Sequence, residues 1–290
     1  MAGGGVDRTQ SDYSIYRQVV SQLMEGQEQL PSLPSITLEI RSALRADDVS
    51  LPGLARLISR DPALSALLMK YASSALLRVR CPPKTLLEVL NVLGLEQVDR
   101  VTMAHSVKSL FTLHSAGHKK LFLEAWERLV LKASTAAFLA RVIGHVHPEH
   151  ALLASLLSEV GTLGVLSAFK GEIDAPTREL YYGLCREYSK SLGVIMLKKW
   201  AVDDEYIEVI RHTGNWHERV CAEVQLTDLV NLSLYHAIKE MNPQAQLPPL
   251  QSLAAYEKLL PPLNFISDNG ELTLLVSHQA EIHAIAAALR

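Results

Sequence analysis

The apolar stretch 148–166, PEHALLASLLSEVGTLGVL, constrains this chain more than any other. Pro148 suits a first helical turn, where its missing N–H would have no intrahelical partner anyway. Leu152, Leu153, Leu156, Leu157 and Val160 then recur at the spacing of a broad helical stripe. Ala151, Ala154, Gly161 and Gly164 are small enough for a neighbouring helix to approach the backbone closely. The pattern predicts one central helix, buried on most sides. Ser158 and Glu159 interrupt the apolar run. A buried carboxylate is costly unless paired, so Glu159 must face a cleft or a partner.

The remaining periodicity is helical throughout. A polar, Gly-rich tail is expected over 1–11 and an amphipathic helix over 12–29. Pro31 and Pro34 punctuate an extended link, and Ser35 is the expected N-cap of the next helix. Ser50 and Asp61-Pro62 are two further helix starts. Helices follow over 96–111, 121–144, 177–200, 203–213 and 217–240, with two more over 251–260 and 276–289. No segment alternates with period two over enough length for a sheet, and only Leu272–Val276 has strand character. The expected fold class is all-α. A net charge of −3 gives no reason to expect nucleic acid or an anionic membrane as partner. No run of about 20 apolar residues stands out as a membrane span, and the N-terminus lacks a signal-peptide layout. Cys81, Cys185 and Cys221 are too far apart to read as a paired motif, and suggest buried, reduced thiols in a cytoplasmic protein.

Several motifs fall in a telling order: LPSLP at 30–34, SRDPALSALLMKYASSA at 59–75, Leu93-Gly94-Leu95, and the 148–166 helix. Together they resemble the HDOD domain, the non-catalytic signalling branch of the HD phosphohydrolase superfamily, over about residues 30–240. Ser73-Ser74-Ala75 stands where that family usually has Asn-Ser-Ala. The resemblance implies an HD-like helical bundle, with 12–29 and 241–290 as helical additions. In catalytic HD proteins the pair after the two leucines is His-Asp, and both residues bind metal. The resemblance places Arg128, Ser158, Glu159, Ser189 and His212 at the metal-ligand positions. Such a set implies no metal and no cofactor, with Arg128 pairing with Glu159 in the metal's stead. The implied protein is not an enzyme. It is a regulatory or interaction module of bacterial signal transduction with protein partners, and its old cleft around Arg128, Glu159 and His212 would be open to a nucleotide or cyclic dinucleotide. The amphipathic ends could support a homodimer.

The competing reading is a metal-dependent phosphohydrolase with a rebuilt ligand set: Glu159, His212 and one of His145, His147 or His150. Convergence of those groups would favour it, and Arg128 against Glu159 would oppose it. Arg78, Arg80 and Lys84 form a basic loop that could hold an anion. A nucleic-acid-binding role would require them to join a wider basic face. No cysteine or serine stands in a recognisable nucleophile motif.

Overall fold

The computed structural model describes residues 5–26, 30–73, 83–112, 119–169, 176–219 and 221–289. Among the described residues all extended regular structure is helical, apart from an isolated antiparallel bridge between Ile266 and Leu272. The chain forms two compact units. One is Leu33–Leu110, and the other joins Met1–Ser32 to Phe111–Arg290.

The smaller unit contains α2 (Ser35–Leu44), α3 (Leu51–Ile58), α4 (Pro62–Ala72), α5 (Leu86–Leu93) and most of α6 (Leu95–Thr112). Ser50 caps α3 by accepting a hydrogen bond from the Gly53 amide at 3.2 Å, and Asp61 caps α4 through the Leu64 amide at 2.9 Å. Each cap is followed by proline in the first helical turn, as the sequence indicated. Ser35 is instead the first helical residue, and Pro34 holds the N-cap position without a side-chain bond. Ile40, Leu54, Ile58, Leu64, Leu68 and Val98 close the core. Arg41, with only 7% of its side chain exposed, pairs with Asp99 at 3.0 Å.

The larger unit contains α1 (Gly5–Glu25), α7 (Lys119–Ile143), α8 (Pro148–Leu157), α9 (Gly161–Ser167), α10 (Arg178–Lys199), α11 (Asp204–His212) and α12 (Leu226–Met241). The short helices α13 (Ala254–Glu257) and α14 (Thr273–Ser277) precede α15 (Gln279–Leu289). α1 starts at Gly5, inside the expected tail. α12 starts at Leu226 rather than near Trp216, because Gln225 and Asp228 form a reciprocal capping box there. Leu272–Val276 is mostly the start of α14, and only Leu272 makes a bridge. Long α7 packs against α8, α12 and α15, so it runs through the middle of this unit.

The stretch 148–166 is two helices, not one, and it breaks at the polar pair. The Val160 amide donates to the Leu157 carbonyl at 3.2 Å and the Thr162 amide to the Glu159 carbonyl at 3.0 Å, tightening the turn to i→i+3 bonds. The Ser158 and Thr162 hydroxyls donate to the Ser155 and Glu159 carbonyls at 2.7 Å each, competing with α-helical pairing. Taken through this break, Pro148–Ser167 does reach the length and apolarity of a membrane-crossing helix, contrary to expectation, with a mean hydropathy of 1.3. Within that stretch, 78% is buried inside the protein.

At Gly161 the backbone of α9 lies directly against that of α10. A Cβ there would overlap the Ser189 carbonyl oxygen and lie 2.7 Å from the Gly193 amide nitrogen. Both obstacles are backbone, which cannot swing aside. Gly164 meets only side-chain atoms of Leu192 and Met196, at 3.2–3.3 Å. Gly161→Ala is therefore expected to lower unfolding free energy by about 3 kcal/mol or more. Gly164→Ala should cost clearly less, and urea denaturation of the two variants checks the order.

Candidate functional site

Arg128 and Lys132 lie one turn apart on α7, so both side chains leave the same face of that helix. The turn between α8 and α9 delivers Ser158 and Glu159 to them. Arg128 donates to Glu159 Oε2 at 2.8 Å. Lys132 Nζ donates to Glu159 Oε1 at 3.0 Å and to Ser158 Oγ at 2.6 Å. The Lys132 side chain is fully buried, and Glu159 and Arg128 are 14% and 21% exposed. Each carboxylate oxygen thus has its own cationic donor.

The electrostatics follow from that geometry. Burial alone would push the Glu159 carboxyl up. The attraction of Lys132 and Arg128, with their hydrogen bonds, more than offsets it and holds the group down at about 2. Burial likewise pulls the Lys132 ammonium below its ordinary value, with Glu159 opposing the shift. Arg128 is shifted upward, chiefly by Glu159, and stays charged. Two cations face one carboxylate. The Tyr182 ring, whose centroid is 5.8 Å from the guanidinium carbon, offers its negative face to the excess charge.

Metal ligands must present lone pairs. Here an ammonium already donates to Ser158 and Glu159, and a guanidinium takes the remaining carboxylate oxygen. These residues do not fit a divalent cation. The other positions do not complete a site either. Ser189 brings its backbone carbonyl against Gly161 on the far side of the turn. His212 stands at the end of α11, with Nδ1 2.8 Å from Glu218 and Nε2 3.2 Å from Glu208. The hydrogen bond to Glu218, foremost, raises its pKa. Its own cavity is lined by Glu208, Glu218, Asp228 and Lys258, and by neither Arg128 nor Glu159. That cavity does not include the ion cluster of Arg128, Lys132 and Glu159.

The histidine-rich loop does not supply replacements. His147 pairs with Glu149 at 2.6 Å, and His150 with Glu205 at 3.1 Å while lying edge-on to Tyr206. Among the described residues no group of three or more His, Cys, Asp or Glu side chains is placed to hold a metal ion. Arg78, Arg80 and Cys81 lie outside the described residues, and Lys84 is exposed with its backbone amide bonded to Glu88. Burial pushes the Cys185 thiol up to about 12, so it remains protonated at neutral pH. Cys221 is exposed rather than buried, in the loop before α12.

Lys132 is the residue that sequence reasoning missed. It was visible as a lone lysine four positions after Arg128, within an otherwise apolar and small-residue run, LVLKASTAAF.

The HDOD domain family model matches residues 30–216, well over half of the chain. The chain belongs to the HDOD domain family. No functionally curated protein matches it. Among solved structures it is similar to a Shewanella amazonensis SB2B protein proposed to be a metal-dependent phosphohydrolase, at 23% identity and a TM-score of 0.74, covering 96% of this chain and all of that one. It is also similar to an HDOD domain protein of unknown function from Geobacter sulfurreducens, at 18% identity and a TM-score of 0.62 over 95% of this chain and 97% of that one. A Marinobacter aquaeolei VT8 protein assigned to signal transduction shares 17% identity at a TM-score of 0.56, covering 99% of this chain and 67% of that one. At these identities the likeness shows a shared HD-type helical fold.

Because the Glu159 carboxyl is depressed in the folded state, its contribution is fully present above its ordinary value of 4.5 and is lost as pH falls through about 2. Glu159→Gln should lose on the order of 3 kcal/mol at neutral pH, since it leaves two cations unpaired in a buried site. The deficit should shrink steadily between about pH 5 and pH 2. Denaturation curves of both proteins across that range test this.

Proposed function

We propose that this protein is a non-catalytic regulatory or interaction module of bacterial signal transduction, built on an HD-type scaffold whose metal centre has been replaced by a buried ion cluster. One observation carries the reading: the Lys132 ammonium bridges Ser158 and Glu159, at the positions where HD hydrolases are expected to hold metal. A cation supplied by the chain neutralises the remaining carboxylate but cannot polarise a phosphoryl oxygen or generate hydroxide as a bound metal does. The family supports the signalling role, as does the fold shared with the Marinobacter signal transduction protein. Protein partners are the expected counterparts. A nucleotide or cyclic dinucleotide is the small-molecule counterpart that the scaffold's ancestry suggests.

Metal analysis of purified, untagged protein, paired with hydrolysis assays on nucleotides and cyclic dinucleotides, tests the proposal. The expected result is neither a stoichiometric metal nor turnover. A tightly held transition metal, with phosphohydrolase activity abolished by Glu159→Gln, would overturn it in favour of the phosphohydrolase reading.

A further inference from the structure

Helix α1 precedes the family match, which begins at residue 30. It packs along α10 and touches α9. The two long helices run in the same direction. Tyr13 and Arg17 stand over Gly183, Glu187 and Tyr188, and the chain just past α1 is pinned at the far end of α10. There Lys199 Nζ donates to the Leu30 carbonyl at 3.4 Å, and Trp200 Nε1 to the Pro31 carbonyl at 3.1 Å.

One face of α1 makes the contact. Tyr13, Tyr16, Val20 and Leu23 recur at steps of three and four residues, the spacing with which an amphipathic helix fills a groove. Val20 and Leu23 are buried. The Tyr16 ring lies tilted on Phe169, with centroids 4.3 Å apart. Tyr13 sits over the notch left by Gly183, where an added Cβ would come within 3.0 Å of its ring. Ser14, Ile15, Gln18 and Gln22 face outward and are exposed.

The rim of this groove supplies one negative charge. Glu187 accepts from the Tyr13 hydroxyl at 2.8 Å and pairs with Arg17 at 2.7 Å, while Arg17 Nε donates to the Tyr188 hydroxyl at 2.9 Å. The hydrogen bond from Tyr13, foremost, holds the Glu187 carboxyl below its ordinary value. The Arg17 and Glu187 side chains are 58% and 33% exposed, so this pairing orients the helix more than it holds it. α1 thus occupies the groove as a tethered ligand, and the short link to Leu30 gives it a high effective concentration there.

We propose that the α9–α10 face is a docking groove for an amphipathic helix of a protein partner, and that α1 fills it as an autoinhibitory stand-in. The partner helix carries the chemistry that α1 displays: two aromatic residues one turn apart over Gly183 and Phe169, an arginine facing Glu187, and aliphatic residues on the turns that follow. This rests on the reading of the protein as an interaction module but not on the ion cluster, so detection of a metal there would leave it standing.

Two measurements on the full-length protein test it. In hydrogen exchange, amides of residues 13–25 are expected to exchange at least about tenfold faster than those of residues 184–197 in α10, because α1 opens on its own. A common rate for both segments would mean that α1 leaves only on global unfolding, and would overturn the proposal. The second measurement titrates a fluorescein-labelled peptide of residues 5–25, used as the probe helix. Arg17→Glu weakens the resident helix by setting a second carboxylate against Glu187, while every groove residue stays in place. The peptide should bind this variant saturably, at least about tenfold tighter than the unaltered protein, whose own tethered helix competes. Adding Gly183→Leu to Arg17→Glu should fill the notch and abolish peptide binding with circular dichroism unchanged, since leucine is the better helix former at that site. No saturable binding to the Arg17→Glu protein, equal binding to it and to the unaltered protein, or binding that survives in the folded double variant would each overturn the proposal.

Discussion

The pairing of Glu159 with Lys132 and Arg128 is the interaction on which the larger unit's centre depends. A carboxylate at the break between α8 and α9 would be untenable among Leu153, Leu156, Leu157 and Val160 without cations beside it. Those cations come from one face of α7, the helix against which α8, α12 and α15 all pack. The ion cluster therefore fixes the position of the turn relative to the longest helix of the unit. Removing either side would leave the other buried and uncompensated, which is a larger penalty than the attraction itself is worth.

Much of this was legible in the sequence, where local chemistry decides structure. Asp61-Pro62 and Ser50 announced helix starts because a capping oxygen and a first-turn proline act within a few residues. The polar pair in an apolar run announced that Glu159 needed a partner, and Arg128 was correctly expected there. The failures have a common physical origin in contacts between distant segments. The break at Ser158 is made by hydroxyls that bond backward along the chain, but the need for glycine at 161 comes from the α10 backbone close by. Lys132 looked like an ordinary helical lysine, since nothing local reveals that its amine is desolvated. Resemblance gave His212 its place, but nothing local revealed that Glu208 and Glu218 hold its two ring nitrogens.

The start of α12 makes the same point on a smaller scale. Helical periodicity runs through 217–225 well enough to suggest an early start. The capping box of Gln225 with Asp228 sets the boundary instead, and Lys258, from just beyond α13, reinforces it by pairing with Asp228 at 2.7 Å. A side-chain bond outside the periodic stripe decided where the helix could begin.

A coordinated metal ion is an exchangeable part: it leaves when its free concentration falls far enough, and the protein then has loaded and empty forms. Lys132 is tethered by its own backbone, so its local concentration never changes. A cluster completed in this way is assembled by folding itself, with no separate loading step: the charge that balances Glu159 arrives with the same helix that packs against it.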